Sequence, residues 1–254
     1  MAARRPAVDR VRDQLLTSRP RGEDNGLAGN SPAAVVQVGQ HGAVPLSFDP
    51  RASAESLVGR RLTRGSRSHA EKPEGYFCGT WDGRHPLNVP GPFYGAETDT
   101  CCDGPPLAPS SLLYDHDGQG FVWRQPRTEV ETHELMAGAS SDPFSGYAWD
   151  GDQHWTPDLV RSWWAERHAH TPLIDLIVAR VAGPRPELRS DYEDLLFRCL
   201  PIGGYSEDER RLLAGIVREF VEYRLSGMER DLRRYLHFLE TGGYPDADAT
   251  LPML

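Results

Sequence analysis

The chain has 254 residues and a mass of 28.3 kDa, and its formal net charge is −9. This length fits one large domain or two small ones. Because 39% of the residues are hydrophobic, while glycine and proline number 25 and 21, the composition excludes a collagen and a wholly disordered chain. No run reaches the roughly 20 apolar residues of a membrane helix, and the arginine-bearing N-terminus lacks the apolar segment of a signal peptide. We therefore expect a cytoplasmic protein without a membrane partner.

The basic residues are almost all arginine, since Lys72 is the single lysine among 28 basic side chains. This bias is typical of proteins from GC-rich bacterial genomes, so we do not interpret it as an adaptation to phosphate groups. The negative net charge argues against a nucleic-acid partner. Four cysteines are too few for a disulfide scaffold, and we expect them to be reduced.

Residues 1–74 are predicted to form an N-terminal arm that is partly disordered. Apolar residues on both sides of a glycine-containing turn predict a hairpin over Ala34 to Phe48. From Arg51 to Glu74 the sequence is rich in Ser, Arg and Gly and has little to bury, which favours a solvated linker. The alternative for this stretch is a basic strip that binds an acidic partner.

Residues 75–170 are predicted to form a loop-rich aromatic domain. This segment contains all six tryptophans, six of the nine histidines and three of the four cysteines. Short strands are expected at 76–78, 111–114 and 121–124, the last two joined by an Asp-Gly turn. Thr156, Pro157 and Asp158 predict a helix start with a side-chain cap, a proline at the first helical position and an acid in the first turn.

Residues 171–254 are predicted to be helical. Thr171 and Pro172 start one helix, and two Ser-x-x-Glu capping boxes, at Ser190 and Ser206, precede apolar stripes of helical period. The fourth predicted helix ends at Gly242. We therefore predict an α+β fold in which a few antiparallel strands precede a C-terminal antiparallel helical bundle.

Cysteines and a histidine in the central segment predict a metal site. Cys78, His85, Cys101 and Cys102 are the thiolate and imidazole ligands that zinc or iron prefers. Their spacing lacks the usual pair of Cys-x-x-Cys hooks, so the alternative is that these cysteines are small buried hydrophobes. Asp99, which precedes the cysteine pair, joins the candidate ligand-binding residues.

Aromatic residues and carboxylates of the same segment predict a small-ligand site. Trp81 and Tyr94 lie in stretches of Pro and Gly that are typical of apolar pockets with few polar groups. Asp150, Asp152 and His154 carry side chains that can bind a ligand or a divalent ion. The alternatives are ordinary turn chemistry for the aspartates and structural packing for the aromatics.

The central cluster carries the functional expectation. We expect a cytosolic accessory protein that binds a metal or a small ligand, with an unidentified protein partner or self-association through its C-terminal helices. One alternative is an enzyme, either a metal-assisted hydrolase or a Cys-dependent transferase, that uses the same residues. Another is a protein-interaction module without a ligand, in which the basic arm docks on the acidic domain of a neighbour.

Overall fold

The computed structural model describes residues 46–63, 77–99, 104–182 and 207–254. Within these ranges the fold is α+β, as predicted. The helices are α1 (Pro50–Thr63), α2 (Gly104–Leu107), α3 (Glu129–Ser140), α4 (Pro157–Glu166), α5 (Thr171–Ala182), α6 (Glu207–Ser226) and α7 (Met228–Thr241). The strands are β1 (Tyr94–Gly95), β2 (Leu112–Tyr114), β3 (Gly120–Val122) and β4 (Tyr147–Ala148). Single 3-10 turns lie at Trp81–Gly83, Gly151–Gln153 and Arg167–His170.

The strands form two small antiparallel sheets. In one, β1 pairs with β4 and Tyr94 lies opposite Ala148; in the other, β2 pairs with β3 through the predicted hairpin. Asn88, only 2% exposed, joins the two sheets, because its Oδ1 accepts from the backbone N–H of Gly95 and of Val122, both at 2.9 Å. A buried amide whose hydrogen bonds are all made fixes the sheets relative to each other.

Three helices begin at a capping side chain followed by residues suited to the first turn. Thr156 caps α4 by accepting from the backbone N–H of Leu159, as predicted. Thr128 caps α3 in the same way, and Asp49 Oδ1 accepts from the backbone N–H of Ala52 at the start of α1. Each cap satisfies an N–H group that the helix itself leaves unpaired.

Helix α1 corrects the prediction of a solvated linker over residues 51–63, while residues 64–74 of the predicted linker lie outside the described residues. The helix covers Pro50–Thr63 and packs against α3, with Ala54 fully buried in the core. Its weakly amphipathic sequence gives little hint of this packing, because Ala54 is a small residue and no apolar stripe accompanies it.

A central core joins the helices to both sheets. Phe93, Leu112, Val122, Leu135 and Tyr147 are its large members, and each is almost completely buried. On the other side of β3, Phe220 of α6 packs edge-on against Phe121 and Trp123, at centroid distances of 5.7 and 6.1 Å. The helical part and the sheets therefore share apolar side chains.

Of the remaining predicted elements, the structure confirms some, contradicts others and does not describe the rest. Residues 77 and 78 are not in a strand, whereas β1 and β4 occur where loops were expected. Helices α5, α6 and α7 were predicted, and α6 packs against both of the others. Residues 34–45 of the predicted hairpin and the predicted helix after Ser190 lie outside the described residues, so the four-helix bundle stays a prediction. None of the described helices combines the length and the apolarity needed to cross a membrane.

Candidate functional site

Four residues of the predicted ligand site meet at the edge of the β1–β4 sheet. Trp81 packs in parallel with the imidazole of His154, with 4.8 Å between ring centroids. Its indole also meets Tyr94 edge-on at 5.5 Å, and the guanidinium of Arg84 lies 4.1 Å from its centroid. Asp150 forms hydrogen bonds with Tyr94 and His154. We call the four residues Trp81, Tyr94, Asp150 and His154 the Trp81 cluster.

A hydrogen-bonded chain runs through the Trp81 cluster. The Tyr94 hydroxyl donates to Asp150 Oδ1 at 2.8 Å, and Asp150 Oδ2 lies 3.1 Å from Nε2 of His154. Burial opposes ionisation of Asp150, but the hydrogen bonds from Tyr94 and His154 outweigh it and lower the pKa of the carboxyl. Burial and the bond to Asp150 raise the pKa of Tyr94. At neutral pH the chain therefore holds a neutral phenol at Tyr94 and a carboxylate at Asp150.

The polar end of the Trp81 cluster faces solvent. The side chains of Asp150 and His154 are 39% and 34% exposed, while Tyr94 beneath them is 1% exposed. Among the described residues, Nδ1 of His154 has no hydrogen-bond partner. The cluster thus presents an ionised carboxylate and a partly exposed histidine ring beside the aromatic rings of Trp81 and Tyr94.

Asp152 does not join the Trp81 cluster. Its Oδ1 accepts a 2.8 Å hydrogen bond from the hydroxyl of Tyr235 on α7. Burial raises the pKa of Asp152 to about 6, although Tyr235 and Arg51 act in the opposite direction. The carboxylates at 150 and 152 therefore serve different parts of the fold, in spite of their spacing.

The other predicted ligand and metal residues are distributed separately. Asp99 is buried, and its backbone N–H donates to Asp142 Oδ1 at 3.1 Å. Cys78 is exposed, and Cys101 and Cys102 lie outside the described residues. The zinc or iron site of Cys78, His85, Cys101 and Cys102 therefore stays a prediction.

His85 already uses both ring nitrogens within the protein. Its Nε2 lies 3.0 Å from Asp115 Oδ2, and its Nδ1 accepts from the backbone N–H of Leu87 at 3.1 Å. The ring also stacks on Phe121, with 5.0 Å between centroids. A metal at His85 would have to replace one of these hydrogen bonds.

A group of possible metal ligands sits in the β2–β3 hairpin. Ligand atoms of Asp115, His116 and Asp117 lie within 4.8 Å of one another. However, Asp115 Oδ1 accepts from the backbone N–H groups of Asp117 and Gln119, at 2.8 and 2.9 Å, and its Oδ2 is paired with His85. Turn formation accounts for this arrangement without a metal.

A partly enclosed cavity of about 20 Å³ lies beside α7, and no sequence pattern predicted it. Its lining is unusually rich in arginine and tyrosine and includes Arg127, Tyr223, Asp231, Arg234, Tyr235 and Tyr244. Arg234 is 5% exposed and donates through Nη2 to the carbonyl of Phe48. Arginines are rarely buried, so the burial of Arg234 in the structure draws attention to this cavity. The apolar stripe of α7 alone could not show that Arg234 is buried.

Comparison with known protein families, with curated proteins and with solved structures finds no match to this chain.

Proposed function

We propose that this protein is an accessory protein that binds a small polar ligand at the Trp81 cluster. The observation that carries the proposal is the meeting of Trp81, Tyr94, Asp150 and His154, which come from three separate stretches of the chain. A rigid aromatic base with a few convergent polar groups is the usual make-up of a small-ligand site. The predicted protein partner, or self-association through the C-terminal helices, remains part of the proposal.

The exposed groups of the Trp81 cluster indicate which class of ligand it would bind. Asp150 is ionised and accepts hydrogen bonds, and each of its oxygens retains a lone pair beyond its contacts with Tyr94 and His154. The segment 75–170 carries 14 acidic and 5 basic residues, which raises the local concentration of cations. The proposed ligand therefore carries amine or hydroxyl donors.

The test is a binding screen on the full chain with a panel of small amines and polyols. We expect at least one compound to raise the thermal unfolding midpoint of the wild type. Its affinity should fall about tenfold or more in Asp150→Asn, because a charged acceptor is lost. The matched control is Asp158→Asn, whose carboxylate is 98% exposed and should leave binding unchanged. A panel without a binder, or a binder unaffected by Asp150→Asn, would overturn the proposal.

A specific observation favours an enzyme as the second candidate. The carboxylate of Asp150 lies 3.1 Å from Nε2 of His154, and the side chain of His154 is 34% exposed, which resembles a general base oriented by a carboxylate. If this candidate is right, the wild type hydrolyses a member of a panel of activated esters. Removing the base should then lower the rate by about 100-fold in His154→Gln. Equal rates of ester hydrolysis in the wild type and in His154→Gln would rule out the enzyme candidate.

A further inference from the structure

The cavity beside α7 has the features of an anion site, although it lies apart from the residues used in the proposed function. It is lined by loop residues of the central segment, such as Gln125 and Arg127, and by residues of α7 and the chain after it, such as Arg234 and Tyr244. Its volume of about 20 Å³ has room for one or two water-sized groups, such as the two oxygens of one carboxylate. The cavity can therefore hold a small chemical group, not a whole cofactor.

Two arginines that line the cavity each have a buried donor without an acceptor among the described residues. Arg127 Nη2 pairs with Glu131 at 3.2 Å, and Arg234 Nη2 donates to the carbonyl of Phe48. Within the described ranges, the Nε–H group of each arginine is buried and has no acceptor. Buried guanidinium donors are normally satisfied, and these two belong to residues that line the cavity, so an acceptor bound there could satisfy them.

The residues that line the cavity include two arginines and one carboxyl group, and Arg127 is also paired with Glu131, which is not part of the lining. Asp231 is the acidic residue of the lining, and no arginine of the described ranges forms an ion pair with it. Its carboxylate accepts a 3.1 Å hydrogen bond from the hydroxyl of Tyr223. Burial raises the pKa of Asp231 despite the nearby Arg234 and Arg127, because the carboxyl group is removed from water.

We propose that this cavity binds the carboxylate group of a small ligand between Arg127 and Arg234. A planar carboxylate matches the donor fork of a guanidinium. It is also smaller than a tetrahedral phosphate, which suits the volume. The tyrosines around it, including Tyr244 whose ring lies 4.7 Å from the Arg234 guanidinium, exclude water and strengthen the charged contacts.

The probe for this proposal is sodium acetate, and binding is measured by saturation-transfer NMR on the full chain. Ionic strength is held constant with sodium chloride, so that general screening does not contribute. We expect the wild type to bind acetate, and Arg127→Lys and Arg234→Lys to weaken binding about tenfold or more. Lysine keeps the positive charge but lacks the planar, forked donor group of arginine. Weaker binding by the lysine variants would therefore show that the donor geometry matters in addition to the charge.

Two control variants make the outcome specific. Arg230→Gln removes an exposed arginine from the same helix and should leave acetate binding unchanged. Asp150→Asn, which tests the Trp81 cluster, should also leave it unchanged, so the two proposals fail independently. If Arg234→Lys loses its folded circular dichroism spectrum, Arg127→Lys decides the question.

Three results would overturn the carboxylate site. The first is a wild type that does not bind acetate, which would mean that the cavity holds water only. The second is acetate binding that is weakened neither by Arg127→Lys nor, provided that it folds, by Arg234→Lys. The third is inorganic phosphate that binds more tightly than acetate under the same conditions, because the volume argument would then be wrong.

Discussion

Gly95→Ala is expected to lower the free energy of unfolding by about 3 kcal/mol, because β1 passes too close to β3 for a side chain. A Cβ atom at Gly95 would lie 2.9 Å from the carbonyl carbon of Gly120 and 3.1 Å from Cα of Phe121. Both are backbone atoms, which cannot rotate away as the end of a side chain can. The strand cannot retreat either, since Asn88 bonds Gly95 on both its N–H and its carbonyl.

Urea denaturation under reducing conditions measures this effect, and Gly215→Ala is the matched control. Gly215 lies within α6 and has open space where a Cβ would be placed, so the same change there should stabilise the protein by up to about 1 kcal/mol. Opposite signs for the two variants are the expected result. Equal unfolding midpoints for Gly95→Ala and the wild type would contradict the close approach of β1 and β3.

Asp152→Asn is expected to change how stability depends on pH. Burial raises the pKa of Asp152 to about 6 from an ordinary value of 3.8. Between these two values the folded protein holds a proton that the unfolded chain releases. The contribution of the protonated Asp152 to the free energy of unfolding is therefore complete below about pH 4 and is lost as the pH rises through 6. The full difference corresponds to at most about 3 kcal/mol.

The variant removes this titration but retains an oxygen that can accept the hydrogen bond from Tyr235. Relative to the wild type, Asp152→Asn should therefore gain stability between pH 4 and pH 7, and the difference should level off above that. Urea titrations at unit intervals from pH 4 to pH 8 measure it, with Asp158→Asn as an exposed control. A difference between Asp152→Asn and the wild type that does not vary with pH would contradict the burial of the carboxyl.

The elements that the sequence predicted correctly depend on neighbours a few positions away. The start of α4 is a bond between Thr156 and the N–H of Leu159, and the β2–β3 hairpin turns where Asp115 bonds residues 117 and 119. Similar local signals were present but unused at Asp49 and Thr128, where α1 and α3 begin. Those two helices could have been predicted from capping residues, in spite of their weak apolar periodicity.

The candidate sites depend on residues that are far apart in the chain. The sequence marked Trp81, Tyr94, Asp150 and His154 as individual candidates, but their meeting requires the pairing of β1 with β4, strands of two residues each. Two-residue strands have no detectable period, so no pattern predicts which of them pair.

Residue types, local caps and the aromatic and acidic character of residues 75–170 were determined by the sequence itself. Only the tertiary structure separated Asp150 from Asp152, by turning one toward His154 and the other toward Tyr235. It also brought Arg127 and Arg234 to one cavity. The physical reason is that burial and long-range packing decide which polar groups share a site, and neither is encoded in the spacing of neighbouring residues.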